Sequence, residues 1–387
     1  MDSRETKRTV PVPSVGADGE QPISQTTTPS IAEETTENNP QDESMEDILR
    51  ELQRTSDPAY LHTVSMNELY QNVYQSRPPI IDGLLYPGTY LFAGAPKVGK
   101  SFLMAQLAYH VSMGLPLWGY PVHKGTVLYL ALEDDHRRLQ GRLYRMFGMD
   151  GTNDLLFAIY AKQLGLGLEE QLKKFVRQHP DTKLIIIDTL QKVREVGGDK
   201  YSYANDYEVV GKLKRLADDC GICLLLVHHT RKQQADDKFD MISGTNGLLG
   251  AADGAFVLQK EKRTGNTAVL EVSGRDQPEQ RLILKKDMER LVWELEKSET
   301  ELWQIPPDPI LEKVAALLLE EIPEWSGTPT ELAEALQLEA KPNLLAKHLN
   351  VNASRLLHEC QTQYENIRTH AGRRIILKRV SEQRDDA

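Results

Sequence analysis

The sequence predicts an α/β protein with a mostly parallel sheet, followed by a small basic winged-helix-like domain and preceded by a disordered N-terminal tail. Three observations carry this. From about residue 64 to residue 303, apolar runs that read as buried strands alternate with helical patterns, as in domains whose strands are joined by crossover helices. After the Pro-rich stretch Ile305-Pro306-Pro307-Asp308-Pro309 the alternation stops and short helical patterns take over. Before it all, residues 1 to about 42 are rich in Thr, Ser, Pro, Gln and Glu and almost free of aromatics, so they bury too little apolar surface to offset the entropy of ordering.

Taken in order, residues 1–57 form the tail, in which 45–52 (MEDILREL) has apolar residues at helical spacing. Residues 58–304 form the α/β domain, with strands expected at 90–93, 127–132, 156–160, 184–187, 222–227 and 254–258, then a pair at 267–272 and 282–285. The linker is 305–309, and the small domain runs from 310 to 380, ahead of a disordered end at 381–387. Its helices are expected at 310–321, 331–337, 344–349 and 354–364. The second opens on Thr328-Pro329-Thr330-Glu331, a capping box with Pro at the first helical position. Two short strands, 366–369 and 373–377, flank the turn His370-Ala371-Gly372, and three helices with a basic hairpin resemble a winged helix.

Composition removes several classes. No apolar run approaches the length that spans a bilayer, and the N-terminus has no apolar signal-peptide segment, so the expectation is a cytoplasmic protein with no membrane partner. Three cysteines, two of them in Cys220-Gly-Ile-Cys223, make neither a disulfide framework nor a zinc site; they are expected in the core where a helix hands over to a strand. The net charge of -11 is unevenly placed: residues 1–50 hold 11 acids against 4 bases, whereas residues 341–380 hold 8 bases against 2 acids. An acidic tail and a basic working end follow.

The chemistry is carried by Gly94-Ala95-Pro96-Lys97-Val98-Gly99-Lys100-Ser101, a G-x-x-x-x-G-K-[ST] match placed between a predicted strand and the helical pattern that opens at Phe102. Its glycines let the backbone N–H groups curl around one anion, with the helix N-terminus adding its dipole. Residues 94–102 are therefore the expected nucleotide-binding segment, Lys100 reaching the β and γ phosphates and Ser101 holding Mg²⁺, with ATP as the expected ligand. Leu184-Ile185-Ile186-Ile187-Asp188 has the form of a Walker B strand, which delivers one carboxylate to the Mg²⁺ shell. Asp188 is followed by Thr189, so the glutamate that many helicases and AAA+ machines carry there is missing. A glutamate stands instead at the end of the preceding expected strand, in Glu133-Asp134-Asp135, where it can polarise the attacking water; the alternative is that all three acids cap the next helix. The run 222–227 ends in His228-His229-Thr230, polar groups at a strand's carboxyl end, where open α/β sheets bind ligands. His229 or His228 is the expected γ-phosphate sensor.

With these motifs in the order GAPKVGKS, YLALEDD, LIIIDTL and LLLVHHTRK, residues 86–285 resemble the RepA-type members of the RecA/DnaB superfamily, the hexameric replicative helicases of plasmids and mobile elements. The resemblance implies a RecA-like core, catalytic roles for Lys100, Glu133, Asp188 and His229, and a homo-hexameric ring with ATP sites between subunits. It also places an arginine finger at Arg275, in Ser273-Gly274-Arg275-Asp276. Two loops would face the channel and track single-stranded DNA: 191–203 with Lys192, Arg194 and Lys200, and 231–247 with Arg231, Lys232 and Lys238. No folded primase-binding domain of the DnaB kind is evident, and the C-terminal module lies outside the minimal plasmid helicase.

In that module residues 354–364 read as a recognition helix, and Arg368, Arg373, Arg374, Lys378 and Arg379 as a phosphate-anchoring wing; the alternative is a packing or docking domain. The tail is an expected docking element for replication partners. The functional expectation is Mg²⁺-dependent ATP hydrolysis coupled to DNA translocation or unwinding in replication of a mobile element. The alternative is an ATP-switched DNA-binding initiator, regulator or loader without unwinding activity. A small-molecule P-loop kinase is disfavoured, because no Arg-rich lid is evident and Glu133 suits a water nucleophile.

Overall fold

A computed structural model describes residues 56–74, 77–194, 203–230, 238–242, 246–260, 262, 265–275, 277–299, 306–319, 322–369 and 372–380. Residues 1–63 and 64–387 form two units. Of the first, the described residues 56–63 are exposed, and the expected helix at 45–52 lies outside the described residues, as do 381–387 and the turn residues His370 and Ala371.

The apolar runs of the sequence become β1 (Gly88–Gly94), β2 (Thr126–Ala131), β3 (Leu155–Ala158), β4 (Thr182–Asp188), β5 (Cys223–His229) and β6 (Gly254–Lys260). They are mutually parallel, and β7 (Thr267–Gly274), β8 (Gln277–Lys286) and β9 (Trp293–Ser298) extend the sheet antiparallel, giving the order β3-β2-β4-β5-β1-β6-β7-β8-β9. The ninth strand is an addition to the expected eight. Every residue of β1 is buried, which is why the central strands read as unbroken apolar runs: both faces are covered. The side chains split by the period of two, Tyr90 and Phe92 joining one core and Leu91 and Ala93 the other.

On the first face lie α2 (Lys100–Met113) and α3 (His136–Phe147), contributing Leu103, Met104, Leu107 and Leu139. The second is covered by α4 (Leu168–Gln178), α5 (Leu190–Val193), α6 (Tyr203–Cys220) and α7 (Asn246–Ala251), contributing Leu172, Val210, Leu213 and Leu248; each fully buried aliphatic chain stabilises by roughly 1.5–3 kcal/mol. Free cysteines Cys220 and Cys223 sit where α6 hands over to β5, as the sequence implies. Trp293 of β9 is fully buried and clamped by Gln106 of α2, whose amide accepts from Trp293 N–H at 2.7 Å and donates to its carbonyl at 2.8 Å. The antiparallel extension is thereby fastened to the helix that follows the phosphate loop.

Residues 309–379 form a third core of four helices, α8 (Pro309–Ala316), α9 (Pro329–Ala335), α10 (Pro342–Val351) and α11 (Ala353–Cys360). They pack on a three-stranded antiparallel sheet, β10 (Glu324–Gly327), β11 (Thr362–Thr369) and β12 (Gly372–Arg379), in the order β10-β12-β11. The capping box at Thr328 is formed. One expectation is corrected. The helix over 354–364 ends at Cys360, because Gln361 takes a left-handed φ of 52° and Thr362 pairs with Arg379 in the sheet. Helix α1 (Met66–Gln71), which the sequence reading does not place, is bound to α10: Asn350 donates to the Tyr70 and Gln71 carbonyls, both at 3.0 Å, and Lys347 to Asn67 at 3.0 Å.

Candidate nucleotide site

Strand order brings the motifs together. β2, β4, β5 and β1 are neighbours, with Ala131 opposite Asp188, Asp188 opposite Val227, and His229 opposite Gly94. The carboxyl ends of four strands thus share one sheet edge, and Glu133 follows two residues after β2. Motifs spread over about 130 residues of sequence meet there because each parallel crossover returns the chain to the same edge.

The phosphate loop needs its two glycines for different reasons. At Gly94 an added Cβ would lie 2.8 Å from the Leu258 carbonyl oxygen, so any side chain would collide with β6. Gly99 has φ of 113° and would place a Cβ 2.9 Å from the Trp293 ring, which closes the loop from below. No side chain caps α2 at Gly99, so the first N–H groups of the helix have an open anion-facing end. Lys100 is buried, and its Nζ donates to the Gly94 and Ala95 carbonyls at 2.8 and 3.2 Å and lies 3.3 Å from His229 Nδ1. Burial lowers the Lys100 pKa, while Asp188 and Glu133 oppose that.

Asp188 is 6 % exposed, and burial raises its pKa against hydrogen bonds from the Ser101 side chain and Tyr129. The Tyr129 hydroxyl donates to Asp188 Oδ2 at 2.8 Å; burial holds the phenol well above its ordinary pKa, so it remains a donor. Thr189 Oγ1 donates to Glu133 Oε1 at 3.2 Å. Asp134 is occupied by Arg142, at 2.7 Å, and Asp135 caps α3 through Arg138 N–H. Of the three consecutive acids, two are therefore engaged in fixing α3, and Glu133 is the one turned to the strand ends. The hydroxyl of Ser101 and the carboxylate of Asp188 are hard oxygen donors beside the phosphate loop, a set that fits Mg²⁺, which is bound through one or two protein oxygens together with substrate phosphates. Among the described residues no group of three or more His, Cys, Asp or Glu is arranged to hold a metal ion by itself.

Other expected residues lie elsewhere. Gly274 pairs with Gly254, which pairs with Tyr90, so Arg275, one residue further, stands about 17 Å along the strands from the Gly94 end of β1. It is exposed and donates to the Gly250 carbonyl at 3.0 Å. Arg194, expected in a channel loop, is instead buried in an ion pair with the fully buried Asp206, and of the three bases of that stretch only Lys192 is both described and exposed. Arg231, Lys232 and Lys200 lie outside the described residues. Sequence reasoning missed Tyr129, Thr189 and Trp293; the tyrosine stood in the quoted YLALEDD run, but nothing local marked its partner.

His229 gives a pH prediction. Burial and the neighbouring Lys100 lower its pKa from 6.5, with Glu133 and Asp188 opposing, and the buried His228 precedes it. Between that lowered value and 6.5 the unfolded chain takes up a proton that the folded chain does not, so stability falls as pH falls through this window. His229→Asn removes the effect: denaturant melts at pH 7.5 and 5.5 should show a smaller acid loss in the variant than in the wild type. An equal loss in both would place the acid sensitivity elsewhere.

Fold and site together define a P-loop nucleotide-binding protein, with the phosphate loop and the strand-end carboxylates on one edge of a mostly parallel sheet. Residues 55–235 match the family described as AAA domain. No curated protein matches the chain. Similar solved structures include the ATPase domain of G40P, 15 % identical over 65 % of this chain and 99 % of that one, with a TM-score of 0.47. A DnaB-like replicative helicase, described with its interactions with primase, is 16 % identical over 65 % and 71 % of the two chains, with a TM-score of 0.48. The KaiC-like protein PH0186 of Pyrococcus horikoshii OT3 is 14 % identical over 58 % and 99 %, with a TM-score of 0.42. Among the described residues no helix is long and apolar enough to cross a membrane.

Proposed function

We propose that this chain is a Mg²⁺-dependent ATPase that couples hydrolysis to translocation along, or unwinding of, DNA, as a RepA-like replicative helicase of a mobile element. The reading rests on one observation: Lys100, Glu133, Asp188 and His229 converge on a single sheet edge at the mouth of the phosphate loop. In it, the backbone of residues 94–102 and Lys100 cradle the phosphates of ATP, and Ser101 and Asp188 hold Mg²⁺, which supplies charge neutralisation on the phosphate oxygens. Glu133, oriented by Thr189, takes the proton of the attacking water. His229 touches Lys100 and reports loss of the γ-phosphate. Because Arg275 stands away from its own phosphate loop, its finger role requires a second subunit, consistent with a homo-hexameric ring acting in the cytoplasm.

DNA contact is assigned to Arg231 and Lys232 in the channel and to Arg368, Arg373 and Arg374 on the winged-helix-like hairpin. Arg368 lies directly opposite Arg373 across β11 and β12, a like-charge pair that costs stability unless an anion lies between them. This basic hairpin also favours the second reading, an ATP-switched initiator that binds duplex DNA and does not unwind it. ATP hydrolysis with and without single-stranded DNA, alongside unwinding of a forked duplex, separates the two. The helicase reading expects stimulation by single strands, unwinding, and a fall of about 10²–10³-fold in hydrolysis for Lys100→Ala. Hydrolysis indifferent to single strands, with tight duplex binding, favours the initiator.

A further inference from the structure

We propose that Tyr129 is a positioning residue for the metal-binding carboxylate, its hydroxyl fixing Asp188 in the orientation that receives Mg²⁺; this rests on the Asp188 role given above. Tyr129 is fully buried in β2, four residues before Glu133, with its ring against Phe157 at 5.5 Å. Its hydroxyl ends under the phosphate loop, donating to Asp188 Oδ2 at 2.8 Å and standing 3.5 Å from the Ser101 carbonyl oxygen. A buried phenol that only filled space would be better served by phenylalanine, since a buried hydroxyl costs free energy unless it is hydrogen-bonded. Here its partner is the carboxylate itself.

The chemistry gives the bond a purpose. An ionised carboxylate has about four acceptor positions and can turn about its terminal torsion. Tying Oδ2 to a donor on the neighbouring strand fixes the carboxylate plane, and the Ser101 side chain bonds the same group. Both side chains that would meet the cation are thus held before it arrives. Outer hydrogen-bond partners of this kind typically change metal affinity by about 10–100-fold when removed. Tyr129 belongs to the strand of Glu133, so it also links the carboxylate on β4 to the strand that carries the water-polarising group.

The test uses the full chain and a fluorescent, non-hydrolysable ATP analogue, whose binding is followed in EDTA and across a Mg²⁺ titration. Tyr129→Phe should raise the Mg²⁺ half-point by about 10-fold or more while leaving analogue affinity in EDTA within about twofold of the wild type. Asp188→Asn is measured beside it. A half-point shifted in Asp188→Asn but unchanged in Tyr129→Phe overturns the proposal; one unchanged in both overturns the assignment of Asp188 beneath it. Phe157→Leu disturbs the ring packing and keeps the phenol, and should leave the half-point where it was. A shift there as large as that of Tyr129→Phe would make packing the cause and sink the positioning role.

Discussion

Glu133→Gln should lower ATP turnover by about 10²–10⁴-fold, the usual worth of a general base, while nucleotide binding persists. The substitution keeps the size of the side chain and an oxygen to accept from Thr189 Oγ1, now 3.2 Å from Glu133 Oε1. What it removes is the ability to take a proton. Asp134 and Asp135 cannot substitute, because one is held by Arg142 at 2.7 Å and the other caps α3. Single-turnover hydrolysis together with filter binding of ATP measures both quantities. Turnover within threefold of the wild type would remove Glu133 from the chemistry and return it to the role of a helix-capping acid.

Asp206→Asn should destabilise the fold by about 3–5 kcal/mol, because it strands the Arg194 guanidinium without its counter-charge in a buried site. The two residues lie on either side of 195–202, one just after α5 and the other in the first turn of α6. Replacing both, as in Arg194→Met with Asp206→Leu, should recover most of the loss, since well-packed apolar pairs often match buried ion pairs. Denaturant midpoints of the single and double variants decide this. A single variant as stable as the wild type would mean that water reaches the pair.

The strand-end motifs were legible because each is a contiguous string whose spacing encodes its chemistry: a loop that curls, an apolar run that ends in a carboxylate. The same locality explains the misses. Trp293 closes the phosphate loop through Gln106, 187 residues away, and α1 meets Asn350 across about 280. No periodicity links such pairs. In sequence Arg194 resembles a channel cation, because a base beside glycines looks solvated, and only the fold brings Asp206 over it. The expected end of the helix over 354–364 failed on one residue, Gln361, whose left-handed backbone no propensity forecasts for glutamine.

The attachment of α1 to α10 alters what kind of appendage the C-terminal module is. Here the chain leaves α1 to build the whole α/β core and then returns at α8 to the body that α1 already grips. Two stretches of chain, one before β1 and one after β9, therefore join the module to the core. Asn350 fastens the first of these to the module, its amide shared between the Tyr70 and Gln71 carbonyls on one side and the Tyr364 hydroxyl and Asn366 amide on the other.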